Sequence, residues 1–161
     1  MQTLLVTMIV NGESASVECT PNMTLLDVLR DGLGLTGAKD GCGGEGECGA
    51  CTVIMNGKAV NSCMVFAGQA NGAVVETIEG LANRGTLHPL QQAFIETGAI
   101  QCGFCTPGVI MAAKALLDNV PKPEEADIKE ALAGNLCRCT GYKKIIEAVQ
   151  LAADRGDANG R

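Results

Sequence analysis

Cysteine is the residue type in this sequence with the greatest capacity for chemistry. The chain has nine cysteines in 161 residues, and eight of them form two groups of four. The first group, C-x5-C-x2-C-x11-C, consists of Cys42, Cys48, Cys51 and Cys63. The second group, C-x2-C-x31-C-x-C, consists of Cys102, Cys105, Cys137 and Cys139. Clustered thiols in a reducing compartment indicate metal or redox chemistry rather than disulfides, so the spacing predicts two thiolate sites.

The loop around the first group narrows the kind of metal centre. Plant-type [2Fe–2S] proteins have C-x4-C-x2-C followed by a distant cysteine, and this group differs by one extra residue between Cys42 and Cys48. Glycines in the loop 37–50 would let the backbone curl around a cluster and point N–H groups at its sulfurs. We expect Gly43 and Gly44 to absorb the extra residue as a bulge.

Two other interpretations of the thiols remain open at this point. Four thiolates also suit zinc, so each group is a candidate for a structural zinc site. The segments Cys48-Gly-Ala-Cys51 and Cys102-Gly-Phe-Cys105 contain the CxxC of dithiol exchange proteins. That motif stands before a helix in a βαβ unit, an order that the first half of this chain lacks.

Composition argues against several other functions. The net charge of −6 disfavours nucleic acid as a partner. The chain has one histidine, no serine elbow and no GxxxxGK phosphate loop, which leaves no visible site for converting a substrate. No apolar run approaches the roughly 20 residues of a membrane span, and the N-terminus lacks the basic and apolar regions of a secretory signal. We therefore expect a soluble cytoplasmic protein.

The first half is predicted to be a small mixed sheet with one helix. Strands are predicted at 2–10, 14–19, 52–55, 58–65 and 74–78. Asn11-Gly12 and Asn56-Gly57 favour tight hairpin turns. Thr24 and Asp27 have the spacing of a helix N-terminal cap, and that helix is expected to stop at Gly32.

The second half is predicted to be helical. The helices are expected at 87–95, 109–117, 126–133 and 143–153. His88-Pro89 and Thr106-Pro107 place proline in a first helical turn, where it is tolerated, and Thr106 is expected to be a cap. The change of pattern near Gly80 predicts two domains, 1–80 and 81–161, with about 154–161 as a flexible tail.

Longer motifs around the cysteines identify a family. The chain resembles the small iron–sulfur subunit of the molybdenum hydroxylase, or xanthine oxidase, family over about 4–153. The motifs that carry this resemblance are Gly49-Ala50-Cys51-Thr52-Val53, Gln101-Cys102-Gly103-Phe104-Cys105-Thr106-Pro107-Gly108 and Gly134-Asn135-Leu136-Cys137-Arg138-Cys139-Thr140-Gly141-Tyr142. The resemblance implies an α+β fold, in which a ferredoxin-like β-grasp domain is followed by a four-helix-bundle domain. Each domain would hold one [2Fe–2S] cluster on its own four cysteines.

The same resemblance implies a function and partners. The chain would be the electron-transfer subunit of an oxidoreductase, with a large molybdopterin subunit and a medium FAD subunit in a heterotrimer or its dimer. In relatives the residues corresponding to Gln101 and Cys139 contact the pterin, which would place the helical cluster nearer molybdenum and the other nearer FAD. A stand-alone ferredoxin and a zinc-stabilised structural module are the alternatives.

Three further residues have simpler interpretations. Cys19 is expected to be a buried small hydrophobe. His88 is expected at a helix entry or an interface, because both groups of cysteines are already complete. Arg138 is either a surface charge or a cation that stabilises the reduced form of a cluster whose formal charge is roughly −2.

Overall fold

Five strands in the first half of the chain form one mixed sheet. In the computed structural model, which describes residues 3–156, the strands are β1 (Leu4–Val10), β2 (Glu13–Cys19), β3 (Thr52–Met55), β4 (Lys58–Asn61) and β5 (Val74–Glu76). Their order is β2-β1-β5-β3-β4. β1 and β5 are parallel, and the remaining pairs are antiparallel. Both hairpins turn at the predicted Asn-Gly dipeptides.

A short helix covers one face of this sheet. It begins as α1 (Leu25–Asp27) and continues as a π-helical turn, Val28–Gly32. The predicted cap at Thr24 is confirmed. Its Oγ1 accepts a hydrogen bond of 3.2 Å from the Asp27 amide, while the Asp27 carboxylate accepts one of 2.7 Å from the Thr24 amide. Three leucines and one valine of this helix belong to the core of the first half.

The second hairpin is shorter than predicted, and the difference positions a cysteine. β4 ends at Asn61, and Ser62–Met64 forms a 3-10 turn instead of continuing the strand to 65. The Ser62 hydroxyl donates a hydrogen bond of 2.7 Å to the Cys51 carbonyl, and its amide donates one of 3.3 Å to the same oxygen. These bonds hold the turn beside Cys51, and Cys63 Sγ in this turn lies 3.3 Å from Cys51 Sγ. The last strand is also shorter, since Ile78–Gly80 is a 3-10 turn.

The four predicted helices of the second half are present. They are α2 (Pro89–Glu96), α3 (Thr106–Asn119), α4 (Glu125–Ala131) and α5 (Lys143–Asp154). His88 is the N-terminal cap of α2, where its Nδ1 accepts a hydrogen bond of 3.2 Å from the Leu90 amide. The expectation for Thr106 was wrong by one position, because Cys105 is the cap and Thr106 the first helical residue. The predicted tail lies outside the described residues from 157 onwards.

The two halves have separate cores that meet along α3. A cluster under the sheet includes Cys19, which is 3% exposed as predicted. A second cluster is shared by α2, α3, α4 and α5. Between them, Met111 and Ala115 of α3 pack on Ile54 of β3, and Lys114 Nζ lies 3.2 Å from Glu76 Oε2 of β5. α3 therefore joins the two halves.

None of the helices within residues 3–156 has the length and apolar character that crossing a membrane requires.

Candidate metal centres

The structure brings the first four cysteines together. Cys42, Cys48 and Cys51 lie on the glycine-rich loop that leads into β3, and Cys63 lies in the turn after β4. The thiol of Cys51 donates to Cys63 Sγ over 3.3 Å, and the thiols of Cys42 and Cys48 hydrogen-bond each other. The negative charge of Cys42 also raises the pKa of Cys63, which connects the two pairs. The group is thus two neighbouring pairs of free thiols.

The surroundings shift the pKa values of these thiols in different directions. Hydrogen bonds from the backbone at Cys48 and then at Glu47 lower the pKa of Cys42 to about 7. Burial raises the pKa of Cys48. The pKa of Cys63 is raised to about 12, chiefly by burial and to a smaller extent by the hydrogen bond with Cys51. Since thiolates are the ligand form, a metal centre here must displace a proton from Cys63 when it binds.

The extra residue of the loop lies in a turn fixed by Asp40. The Asp40 carboxylate accepts hydrogen bonds from the Gly43 amide at 2.7 Å and from the Gly44 amide at 3.2 Å. Both glycines have positive φ, +75° and +82°, and a Cβ at either would meet nothing within 4 Å. The sequence pattern did not indicate this role for Asp40, although aspartate before glycines is a turn signal.

Deletion of Gly44 is expected to leave the iron content per chain unchanged. The glycine faces open space, and its removal restores the four-residue spacing of plant-type proteins. Iron and acid-labile sulfide are to be measured on the purified chain. Deletion of Gly46 is the matched comparison, because its carbonyl accepts a 2.8 Å hydrogen bond from Asn61 and it packs on Met64. Iron loss on deleting Gly44 would mean that the longer loop is required.

The second four cysteines are also brought together as two pairs. Cys102 and Cys105 precede α3, and Cys137 and Cys139 lie between α4 and α5. The side chain of Cys105 hydrogen-bonds Cys137, and that of Cys102 hydrogen-bonds Cys139. The charges of Cys102 and Cys137 raise the pKa values of both Cys105 and Cys139, so the two pairs are close enough to interact. Cys102 and Cys139 are exposed, whereas Cys105 and Cys137 are half-buried.

Hydrogen bonds from Thr140 distinguish Cys137 from its partner. Burial raises the pKa of Cys105 to about 12. Burial acts in the same direction on Cys137, but hydrogen bonds lower its pKa overall: those from the Thr140 hydroxyl and amide, 3.0 and 3.5 Å from Sγ, and smaller ones from the Cys139 backbone and the Cys105 side chain. The hydrogen bond with Cys102 raises the pKa of Cys139.

The residues predicted to contact a pterin lie at the surface. Gln101 is exposed and directly precedes Cys102, whose thiol hydrogen-bonds the exposed Cys139. The structure therefore places Cys139 beside Cys102, the chain neighbour of Gln101. Arg138 is exposed as well, and its effect on a cluster stays a prediction.

The arrangement in pairs bears on which metal centre fits. A structural zinc ion needs four ligands around one point, whereas a [2Fe–2S] cluster takes two protein ligands on each of its two irons. Two pairs of thiols in each group therefore fit a binuclear cluster better than a zinc ion.

The segments that carry the two groups are hydrogen-bonded to each other. The Leu136 amide donates to the Cys48 carbonyl over 2.9 Å. The Asn135 side chain, in a residue that is 5% exposed, donates to the Gly49 carbonyl at 2.9 Å and to Thr52 Oγ1 at 3.1 Å. The spacing of the cysteines did not indicate this contact.

Two glycines permit this close approach. A Cβ at Gly49 would lie 2.4 Å from the Gly134 carbonyl oxygen, and a Cβ at Gly108 of α3 would lie 2.3 Å from the Gly49 carbonyl oxygen. Real Cβ contacts are not this short, so a side chain at either position would push the segments apart. The two candidate centres thus belong to loops whose backbones touch.

Comparison with family models defines the class of protein. Residues 8–77 match a model described as a 2Fe-2S iron-sulfur cluster binding domain. Residues 77–150 match one described as a [2Fe-2S] binding domain. The chain is accordingly a protein with two [2Fe–2S] domains, and the prediction of two [2Fe–2S] clusters is confirmed.

Individual relatives define the family. The nicotinate dehydrogenase small FeS subunit of Eubacterium barkeri is 52% identical over 96% of this chain and 98% of its own length. The xanthine dehydrogenase iron-sulfur-binding subunit of Escherichia coli O157:H7 is 44% identical over 92% of this chain and 93% of its own length. In the crystal structure of quinoline 2-oxidoreductase from Pseudomonas putida 86, one chain superimposes with a TM-score of 0.91 at 41% identity, covering 98% of this chain and 99% of that one. The chain belongs to the iron–sulfur subunits of the molybdenum hydroxylase family, and it is the iron–sulfur subunit of an oxidoreductase.

Proposed function

We propose that this chain passes electrons between a molybdopterin centre and FAD, both held by partner subunits, through one cluster in each half. The observation that carries the proposal is the 2.9 Å hydrogen bond from the Leu136 amide to the Cys48 carbonyl. Cys48 is a proposed ligand of one cluster, and Leu136 directly precedes Cys137, a proposed ligand of the other. The two ligands are therefore connected through backbone bonds and a single hydrogen bond.

The ligands of each cluster are the cysteines of one group. The first cluster would be held by Cys42, Cys48, Cys51 and Cys63, and the second by Cys102, Cys105, Cys137 and Cys139. A bound [2Fe–2S] cluster supplies reversible one-electron chemistry with little ligand motion. The residues around the thiols hold them in pairs, and the Thr140 hydroxyl stabilises negative charge at Cys137 Sγ.

We propose a domain description that matches this division. Residues 1–80 would be a ferredoxin-like β-grasp domain, a view supported by a mixed five-stranded sheet covered by one short helix. Residues 81–161 would be a four-helix bundle, a view supported by the core that α2, α3, α4 and α5 share. The cluster of each domain would lie beside the contact between them.

Exposure of two residues supports an orientation in the complex. Gln101 and Cys139 are both exposed, which suits contact with the pterin of a large subunit. The first cluster would then be the one nearer FAD in a medium subunit. Relatives named as small subunits, such as the nicotine 6-hydroxylase small subunit of Paenarthrobacter nicotinovorans at 49% identity, support a heterotrimer or its dimer.

Metal content and spectroscopy test the proposal. The purified chain is expected to contain about four iron and four sulfide, from two clusters of two irons each. Electron paramagnetic resonance after reduction should show two distinguishable signals, because only the second group has two exposed thiols. Zinc near two per chain without iron would contradict the proposal.

Purification tests the partners separately. The chain is expected to co-purify with two larger subunits, one of which contains molybdenum and the other flavin. A stand-alone ferredoxin would instead be recovered alone with both clusters intact, and that result would contradict the subunit role while leaving the clusters in place.

A further inference from the structure

We infer that Tyr142 is a positioning residue for electron transfer between the two clusters, and that it acts by fixing the segment Asn135–Cys137. This role rests on the function proposed above, because it requires a cluster at each group of cysteines. The contacts of Tyr142 that indicate this positioning role are all made to residues of this chain. Tyr142 is the one tyrosine of the sequence, and it lies in the turn that leads into α5.

The Tyr142 hydroxyl holds both ends of this segment. It donates a hydrogen bond of 3.1 Å to the Asn135 carbonyl and accepts one of 2.8 Å from the Cys137 amide. Between these two contacts stands Leu136, whose amide donates to the Cys48 carbonyl. A single hydroxyl group therefore controls the direction of the amide that connects the two halves.

The backbone of Tyr142 supports a positioning role. Its φ is +66°, in the left-handed region that bulky residues rarely adopt. Such a conformation persists only where the surroundings hold it. The Tyr142 amide donates to Thr140 Oγ1 at 3.2 Å, and its ring packs against the core of the helical half. The hydroxyl thus reaches the segment from a ring that the core immobilises.

The segment is fixed from the other half by Asn135. Its side-chain amide donates to Gly49 and Thr52 of the first half. Tyr142 therefore provides the anchor in the helical half, and Asn135 provides the anchor in the sheet half. Removal of the Tyr142 hydroxyl would leave the Cys137 amide and the Asn135 carbonyl without this partner, and the Leu136 amide would lose its fixed direction.

The variant Tyr142→Phe tests this role in the cluster-loaded chain, since it removes the hydroxyl and keeps the ring. We expect the rate of electron transfer from one cluster to the other to fall, because the Leu136 amide that connects the two halves is no longer held in place. The rate is followed by rapid-freeze electron paramagnetic resonance after partial reduction. We also expect hydrogen exchange at the Leu136 and Cys137 amides to accelerate about ten-fold, the equivalent of roughly 1.4 kcal/mol for a lost buried hydrogen bond.

Thr97→Val is the matched control. It removes a hydroxyl that donates to the Ala93 carbonyl at 2.9 Å within α2, so a general loosening of the helical half would appear in this variant too. In Thr97→Val, the rate of electron transfer between the clusters and the exchange rates of the Leu136 and Cys137 amides are expected to stay at wild-type values.

Each outcome has a defined meaning. Unchanged exchange in Tyr142→Phe, or accelerated exchange with an unchanged transfer rate, would overturn the inference. Exchange is measurable whatever the iron content of the variant, so cluster loss does not prevent the test. Absence of transfer between clusters in the wild-type chain would instead contradict the proposed function.

Discussion

Cys105→Ala is expected to stop electrons at the molybdenum centre of the assembled complex, whereas Cys51→Ala is expected to let them reach the helical cluster and stop there. Each substitution removes one proposed ligand, so each variant should retain about two of its four irons. In rapid-reaction experiments with Cys105→Ala, substrate should reduce molybdenum while the cluster of the sheet half and FAD stay oxidised. With Cys51→Ala, the helical cluster should be reduced normally and FAD should lag.

Cys19→Ala is the control for both variants. Cys19 is 3% exposed in the same core as Cys51, which is 2% exposed, but it belongs to neither group of four. It should retain about four irons and normal FAD reduction. Subunit ratio and metal content are checked first, because a domain whose stability derives from its cluster can unfold when a ligand is lost. If Cys51→Ala isolated the helical cluster from molybdenum, the proposed order of the clusters would be wrong.

Gly108→Ala is expected to destabilise the chain, although alanine is normally favoured over glycine within a helix by about 1 kcal/mol. The added Cβ would lie 2.3 Å from the Gly49 carbonyl oxygen. Because this oxygen belongs to the backbone, a change of side-chain rotamer cannot relieve the clash. Overpacking of this kind typically costs about 1–3 kcal/mol. We expect a lower midpoint of thermal unfolding and slower transfer between the clusters, because α3 would be pushed away from the loop of the first group.

Gly134→Ala is the matched control for this effect. Gly134 belongs to the same contact region, but a Cβ built on it would meet nothing within 4 Å. We expect its unfolding midpoint and transfer rate to match those of the unmodified chain. Equal stability of the Gly108 and Gly134 variants would show that the halves tolerate a shift at their contact, contrary to this prediction.

Features that depend on neighbouring residues were predictable from the sequence. The Asn-Gly turns, the Thr24 cap and the entry of α2 at His88 are each fixed by contacts within a few residues. The burial of Cys19 was predictable because it alternates with Val17 along a strand. The division of eight cysteines into two groups was likewise visible as spacing.

Features that depend on distant residues were not predictable. β4 ends at Asn61, and the hydroxyl of Ser62 in the following turn bonds to Cys51, eleven positions earlier. The side chain of Asn135 meets the Gly49 carbonyl across 86 positions, and no local pattern contains that information. Tyr142 is a different case, because its hydroxyl contacts backbone groups only five and seven positions earlier, yet no spacing rule in the sequence indicates those contacts.

The backbone contact at Gly49 limits which ferredoxin-like modules could replace the first half of this chain during evolution or in a designed chimera. A substitute must have glycine directly after its second cysteine, because any Cβ there would strike the Gly134 carbonyl. It must also present that cysteine's carbonyl to the Leu136 amide. A module with a perfect set of thiols but alanine at this one position would bind its cluster and still fail to join the helical half. Compatibility between the halves is therefore decided at a few backbone atoms, and exchange by recombination is restricted to modules that already share them.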